Sequence, residues 1–189
     1  MGYDAGIQSN DPSVRGIVAD AYRDMGEGWE FDASWAIDHG GLYNFRGWEM
    51  TELCRDIESH ATGRQMVSDD DGEYELSVIP VSVLLEYTDA FDAFCETLAG
   101  KKLYAAWELG YEWYVGDFPK GWQPGQSIVI VDVLDMLEAK KALSKTGHGE
   151  VLYDLLDSSD GFWQLKGFSR IVGVLKDNDV GEVLWYESY

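Results

Sequence analysis

Long apolar runs are missing from this chain of 189 residues. The longest, Val78-Ile79-Pro80-Val81 and Ser127 to Val131, are strand-sized, far short of the roughly 20 apolar residues that a membrane-spanning helix needs. The opening Met1-Gly2-Tyr3-Asp4 carries neither the basic nor the apolar segment of a secretory signal, so a cytoplasmic location is expected. Gly6 stands where N-myristoylation wants Ser or Thr. Cysteine is scarce: Cys54 and Cys95 lie 41 residues apart, both in helix-like apolar patterns, and read as buried free thiols in a reducing compartment. His39, His60 and His148 stand at no metal-ligand spacing to one another or to a cysteine, so neither a metal nor a cofactor is expected. A nucleophilic pair of Cys54 with His39 or His148 is open to the sequence, but the apolar setting of Cys54 opposes it.

Positive charge is equally thin. Lys and Arg total 14, and no basic cluster exceeds the pairs Lys101-Lys102 and Lys140-Lys141. Direct binding to nucleic acid is therefore disfavoured, because phosphates repel such a chain. No dinucleotide fingerprint, phosphate-binding loop or nucleophile elbow occurs. Gly167 and Gly173 sit inside a helical pattern and read as packing contacts, not as a phosphate cradle. Asp69-Asp70-Asp71-Gly72-Glu73 fails the calcium-loop pattern in both registers, and Asp177-Asn178-Asp179-Val180-Gly181 fails it too. Among 35 Asp and Glu no catalytic carboxylate pair can be singled out. An enzyme is not expected.

What the chain does have is acid. Those 35 acids give a formal net charge of −21 and a pI near 4.2. The excess is spread: residues 1–60 hold 12 acids against 4 bases, residues 61–120 hold 12 against 4, and residues 121–189 hold 11 against 6. No detachable acidic tail exists, so the acids decorate folded elements at a standing cost in self-repulsion. A hydrophobic share of 46%, with eight Trp and eleven Tyr, suffices for a sizeable core and leaves aromatics over for binding anchors.

The pattern along the chain predicts one α+β domain with a small, mostly antiparallel sheet and several packed helices. Asp11-Pro12 starts a helix carrying Val14, Ile17, Val18, Ala21, Tyr22 and Met25, which Gly26 and Gly28 end. Trp29 to Trp35 alternates as a strand with a wet face of Glu30, Asp32 and Ser34. Leu42 to Arg46 is a second short strand or an extended entry to a helix. Trp48 to Ala61 is helical, with Met50, Leu53, Cys54 and Ile57 on one face. A hairpin follows, Gln65 to Val67 and Tyr74 to Val78, turning at Asp69-Asp70-Asp71-Gly72. Pro80 to Leu98 is the clearest helix, with Gly100 capping its end. Leu103 to Tyr114 reads as helix or strand. Residues 118–125, rich in Pro and Gly, are a loop and the one candidate boundary. Ser127 to Val131 is a strand, Asp132 caps a helix through Ser144, and Gly149 to Leu156 is a short helix. Gly161 to Lys176 is a long helix stopped by Asp177-Asn178-Asp179, and residues 181–189 form a terminal strand. No internal repeat is evident.

A folded acidic body meets basic proteins quickly, because charge steering raises association rates to about 10⁸–10⁹ M⁻¹s⁻¹. The basic clefts of a cell are above all those that hold DNA or RNA; carboxylates can stand in for phosphates and rings for bases. The expectation is a non-enzymatic protein that occludes such a surface. An immunity protein against a basic toxin, or an enzyme without a standard motif, are the alternatives. Candidate contacts are Glu30 and Asp32 on the first wet face, Asp69, Asp70, Asp71 and Glu73 at the hairpin turn, and Glu108 and Glu112 amid aromatics. Trp107, Trp113 and Trp122 are candidate anchors.

Two resemblances bear on this. Met1-Gly2-Tyr3-Asp4, with Tyr43-Asn44-Phe45-Arg46-Gly47-Trp48-Glu49-Met50, resembles uncharacterised bacterial and phage proteins that open with the same four residues. They imply no activity. In composition alone the chain is similar to phage anti-CRISPR and DNA-mimic antirestriction proteins, which are small, acidic and free of motifs. That resemblance implies a partner in a bacterial defence complex, in a host cytoplasm, and carries over no residue.

Overall fold

The computed structural model describes residues 3–25, 36, 37, 39–69, 72–117, 120, 121, 123 and 127–188. The fold is α+β. It packs as two compact units, residues 1–85 with 168–189, and residues 86–167. The changeovers fall inside two helices, and residues 118–125 lie within the second unit.

The first unit is built on a five-stranded sheet. Its strands are β1 (Asp4–Gln8), β2 (Gly41–Arg46), β3 (Gly63–Asp69), β4 (Gly72–Pro80) and β7 (Glu182–Ser188). They lie in the order β2-β1-β7-β4-β3, and every neighbouring pair is antiparallel. The β3–β4 register pairs Asp69 with Gly72, so the hairpin turns within the predicted Asp69–Gly72 segment, with Gly72 as the first residue of β4 and not a central residue of the turn. Gly72 takes φ of 136°, which a side chain would resist. One sheet face is aromatic. Tyr43 and Phe45 of β2, Ala5 and Ile7 of β1 and Trp185 of β7 are all buried there. Phe168 closes on that face, its ring 4.8 Å from Phe45 and 5.7 Å from Tyr43. Such ring pairs add about 0.5–1.5 kcal/mol each beyond area burial. The opposite face holds a smaller cluster of Val67, Leu76 and Leu184.

Helix α1 (Pro12–Met25) starts where Asp11 Oδ1 accepts the Ser13 N–H at 2.8 Å, and it buries Val18, Ala19 and Tyr22. The Tyr22 hydroxyl donates to the Leu42 carbonyl at 2.7 Å, which ties helix to sheet. Trp48–Met50 forms a 3-10 turn leading into α2 (Thr51–Ser59), whose Leu53, Cys54 and Ile57 are fully buried as their spacing predicts. The Trp29 to Trp35 segment lies outside the described residues.

The second unit is mostly helical. Helix α3 (Val81–Cys95) enters it, followed by α4 (Leu98–Glu108), β5 (Glu112–Val115), β6 (Ile128–Val131), α5 (Val133–Leu143), α6 (Gly149–Tyr153) and the first half of α7 (Ser159–Asp177). The ambiguous Leu103 to Tyr114 stretch resolves as helix, turn, then strand. Strands β5 and β6 pair parallel, apart from the main sheet. The predicted cap at Asp132 is present, its Oδ1 accepting the Leu134 N–H at 2.7 Å.

One expectation is corrected. Gly100 does not end α3; it lies buried in the first turn of α4. There Thr97 caps the new helix by accepting the Gly100 N–H at 3.1 Å, and the Thr97 hydroxyl donates back to the Phe94 carbonyl at 2.6 Å. The corner recurs twice. Thr146 and Ser158 each donate their backbone N–H to the carbonyl three residues earlier, Leu143 and Leu155, as Thr97 does to Phe94. A glycine follows three residues on each time, at 100, 149 and 161. A Cβ on any of the three would sit 2.1 to 2.3 Å from that same carbonyl oxygen. The unit thus turns three corners with one device: an apolar residue, then Ser or Thr at +3, then Gly at +6. Gly173, expected to pack closely, instead has open space where a Cβ would stand.

Candidate binding surface

The acid excess lies on both units. The first holds 21 acids against 7 bases and the second 14 against 7, net charges of −14 and −7. Among the described residues no Asp or Glu is buried. Among the described residues the one charged side chain in the buried class is a cation, Lys140, whose ammonium rests 3.9 Å from the Tyr153 ring centre. Folding therefore turns most of the described acids outward, where desolvation does not neutralise them; Glu187, half-buried on β7, keeps one carboxylate oxygen out of solvent.

Several expected contacts are placed accordingly. Glu73 is exposed on β4 at the hairpin turn. Asp69 ends β3, while Asp70 and Asp71 lie outside the described residues, as do Glu30, Asp32 and Trp122. Glu108 and Glu112 are exposed on either side of the turn from α4 into β5. Two anchors are corrected. Trp107 and Trp113 are only 8% and 4% exposed. Trp113 sets its ring edge-on to Phe162 at 5.0 Å, and Trp107 packs against Trp163 at 5.7 Å. Strand alternation turns Trp113 inward beneath Tyr114, and the core-facing side of α4 claims Trp107. Among the described residues the exposed large rings are others: Trp48, tilted on Tyr3 at 5.8 Å, Tyr114 and Trp163.

The sequence reading missed an acidic stripe on α3. Glu86, Asp89, Asp92 and the following Glu96 are all exposed and recur at intervals of three, three and four. At about 1.5 Å rise per residue this is roughly one carboxylate per 5 Å along the helix, against about one phosphate per 3.4 Å along one DNA strand. No Lys or Arg falls within α3. Like charges at that spacing cost a helix about 0.2–0.5 kcal/mol per pair. Glu86 meets His148 at 2.8 Å, where the imidazole also lies over the Tyr87 ring at 4.0 Å between centres, and Glu96 meets Lys101 at 3.3 Å. The helical spacing of these acids was the signal that would have found them.

A polar cleft of about 500 Å³ opens in the first unit between the start of α1 and the turn from α7 into β7. Its lining includes Asp11, Asp179 and Glu182 but no Lys or Arg. Backbone and side-chain hydrogen bonds from Ser13 hold the Asp11 carboxyl below the usual carboxylate range, so it stays ionised.

The cysteines are free. Burial pushes the Cys54 thiol far above its ordinary range, although the adjacent Tyr3 hydroxyl pulls the other way. Cys95, only partly exposed, is pushed up to about 12, again by burial, with the Lys166 charge opposing. Reactive cysteines show the opposite shift. No described helix is long and apolar enough to cross a membrane. Comparison with protein-family models, with curated proteins and with solved structures finds no match.

Proposed function

We propose that this protein acts by binding, docking its acidic surface on a basic, nucleic-acid-binding surface of a bacterial defence complex and so occluding DNA or RNA. The observation that carries the reading is the outward placement of most of the charge: no described Asp or Glu residue is buried as a whole, although Glu187 keeps one carboxylate oxygen out of solvent, and both units keep an excess of acid. With 35 acids against 14 Lys and Arg, ion pairs within the chain such as Glu96–Lys101 and Lys102–Asp135 leave a large excess of negative charge. On α3 the acids also line up with one another, and an arriving basic surface would relieve that repulsion. Exposed Trp48, Tyr114 and Trp163 supply rigid apolar contact beside the carboxylates.

The test is competition. Purified CRISPR effector complexes and basic nucleases are loaded with labelled nucleic acid at fixed salt and titrated with the chain. Displacement from one complex, together with a direct protein–protein complex on sizing, is the expected result. Retention of nucleic acid by the whole panel, with no such complex formed, would overturn the reading.

A further inference from the structure

The geometry points to a second, apolar docking site on the second unit, formed by the start of α5 and the outer face of β5–β6, for a partner segment that carries apolar side chains flanked by Lys or Arg.

A surface helix normally buries one apolar stripe and wets the other side. Helix α5 departs from that. Met136, Ala139 and Leu143 are buried, yet Val133, Leu134 and Leu137 are 47%, 70% and 41% exposed. All six are apolar, and the fold buries only half of them. The surplus continues onto the strands. Tyr114 of β5 is exposed and pairs in register with the half-buried Ile130 of β6, so both lie on one face, opposite buried Trp113. Gly116 continues that face, and a Cβ built there would stand 3.2 Å from Val133 Cγ2. Strand face and helix start are thus one continuous apolar surface.

Its charge selects the occupant. Glu112 on β5, Asp117 beyond it, Asp132 at the helix cap and Glu138 on α5 are exposed around it. Lys141, one turn beyond Leu137, is the cation at its far end. A second copy of this chain would bring another −21 to an acidic rim. A segment with apolar teeth and basic flanks satisfies both the surface and its border. The inference shares with the proposed function only that the partner is basic, and stands whether or not that partner handles nucleic acid.

The probe is a fourteen-residue helical peptide of Leu and Lys at amphipathic spacing. It is titrated into the full isotope-labelled chain and followed by amide chemical shifts. A Leu/Glu peptide of the same pattern and a lysine-only peptide serve as controls. The expected shifts concentrate in Tyr114–Gly116 and Val133–Glu138, with the Leu/Lys peptide alone. The double substitution Leu134→Ser with Leu137→Ser, at exposed positions, weakens its binding about ten-fold or more. Shifts spread over the acids of both units, or equal binding by the lysine-only peptide, would overturn the apolar site even if the double variant failed to fold. Sedimentation showing a wild-type dimer that the double substitution dissolves would also overturn it, assigning the surface to a second copy. Loss of nucleic-acid competition in the earlier test leaves these outcomes unaffected.

Discussion

Gly100 stands so close to Phe94 that a single added methyl group would overlap the Phe94 carbonyl oxygen at 2.1 Å. The backbone of Gly100 has no need of positive φ. Its requirement is steric: the first turn of α4 crosses directly over the last carbonyls of α3. Gly149 and Gly161 repeat the relationship with Leu143 and Leu155.

Gly100→Ala and Gly161→Ala are therefore expected to destabilise the fold by about 2 kcal/mol or more, since backbone must shift to admit the methyl. Gly173→Ala, inside α7 with open space around it, should stabilise by about 0.5–1 kcal/mol by restricting the unfolded chain. Urea denaturation of the three variants tests both signs. Equal effects would refute the steric account.

Salt should move stability and binding in opposite directions. Screening a net charge of −21 relieves self-repulsion, so the melting temperature rises with added NaCl. Partner affinity should fall over the same range, mainly through the association rate. An affinity independent of salt would assign the interface to the apolar surface alone.

On α3, the pair Asp89→Asn and Asp92→Asn should leave the fold unchanged or slightly firmer while weakening the partner complex by about 1–3 kcal/mol. Glu73→Gln at the hairpin turn makes a parallel test of the second acidic region. Thermal melting and competition with nucleic acid separate the two effects. Unchanged competition in the α3 pair would remove that stripe from the interface.

The thiols should be silent in the native state. At pH 8 both should resist a thiol reagent and react once the chain is unfolded. Because burial raises their pKa values above those of the unfolded chain, their contribution is constant below about pH 8.5. Above that, the unfolded state loses protons first, and stability falls as pH rises towards the folded-state value, about 12 for Cys95. Cys54→Ala should cost about 1–2 kcal/mol as a small cavity and leave binding intact. Fast native labelling of either thiol would contradict this burial.

Trp113→Ala should behave as a core deletion, costing about 3–5 kcal/mol. Trp163→Ala, at a partly exposed ring, should cost much less in stability. Selective loss of partner binding in Trp113→Ala, with its melting temperature unchanged, would restore it as a surface anchor.

The sequence by itself determined most of the local structure. Asp11-Pro12 and Asp132 announced their helices because a capping carboxylate acts on N–H groups two residues away. The hairpin was legible from two alternating runs around one short acidic segment, because strand pairing across a short turn is local. The apolar spacing of Met50, Leu53, Cys54 and Ile57 gave the buried face of α2 and of the 3-10 turn that leads into it. The acidity of the surface was equally legible, since carboxylates seldom go inside without partners. Only the tertiary structure decided which aromatics face water. Trp107 and Trp113 look like anchors in a string of rings, but their inward direction depends on where Phe162 and Trp163 arrive from some fifty residues away. It decided too that Leu134 stays outside while Met136 goes in. Apolar spacing shows that a residue can be buried; whether it is depends on whether the fold has a surface left to cover it.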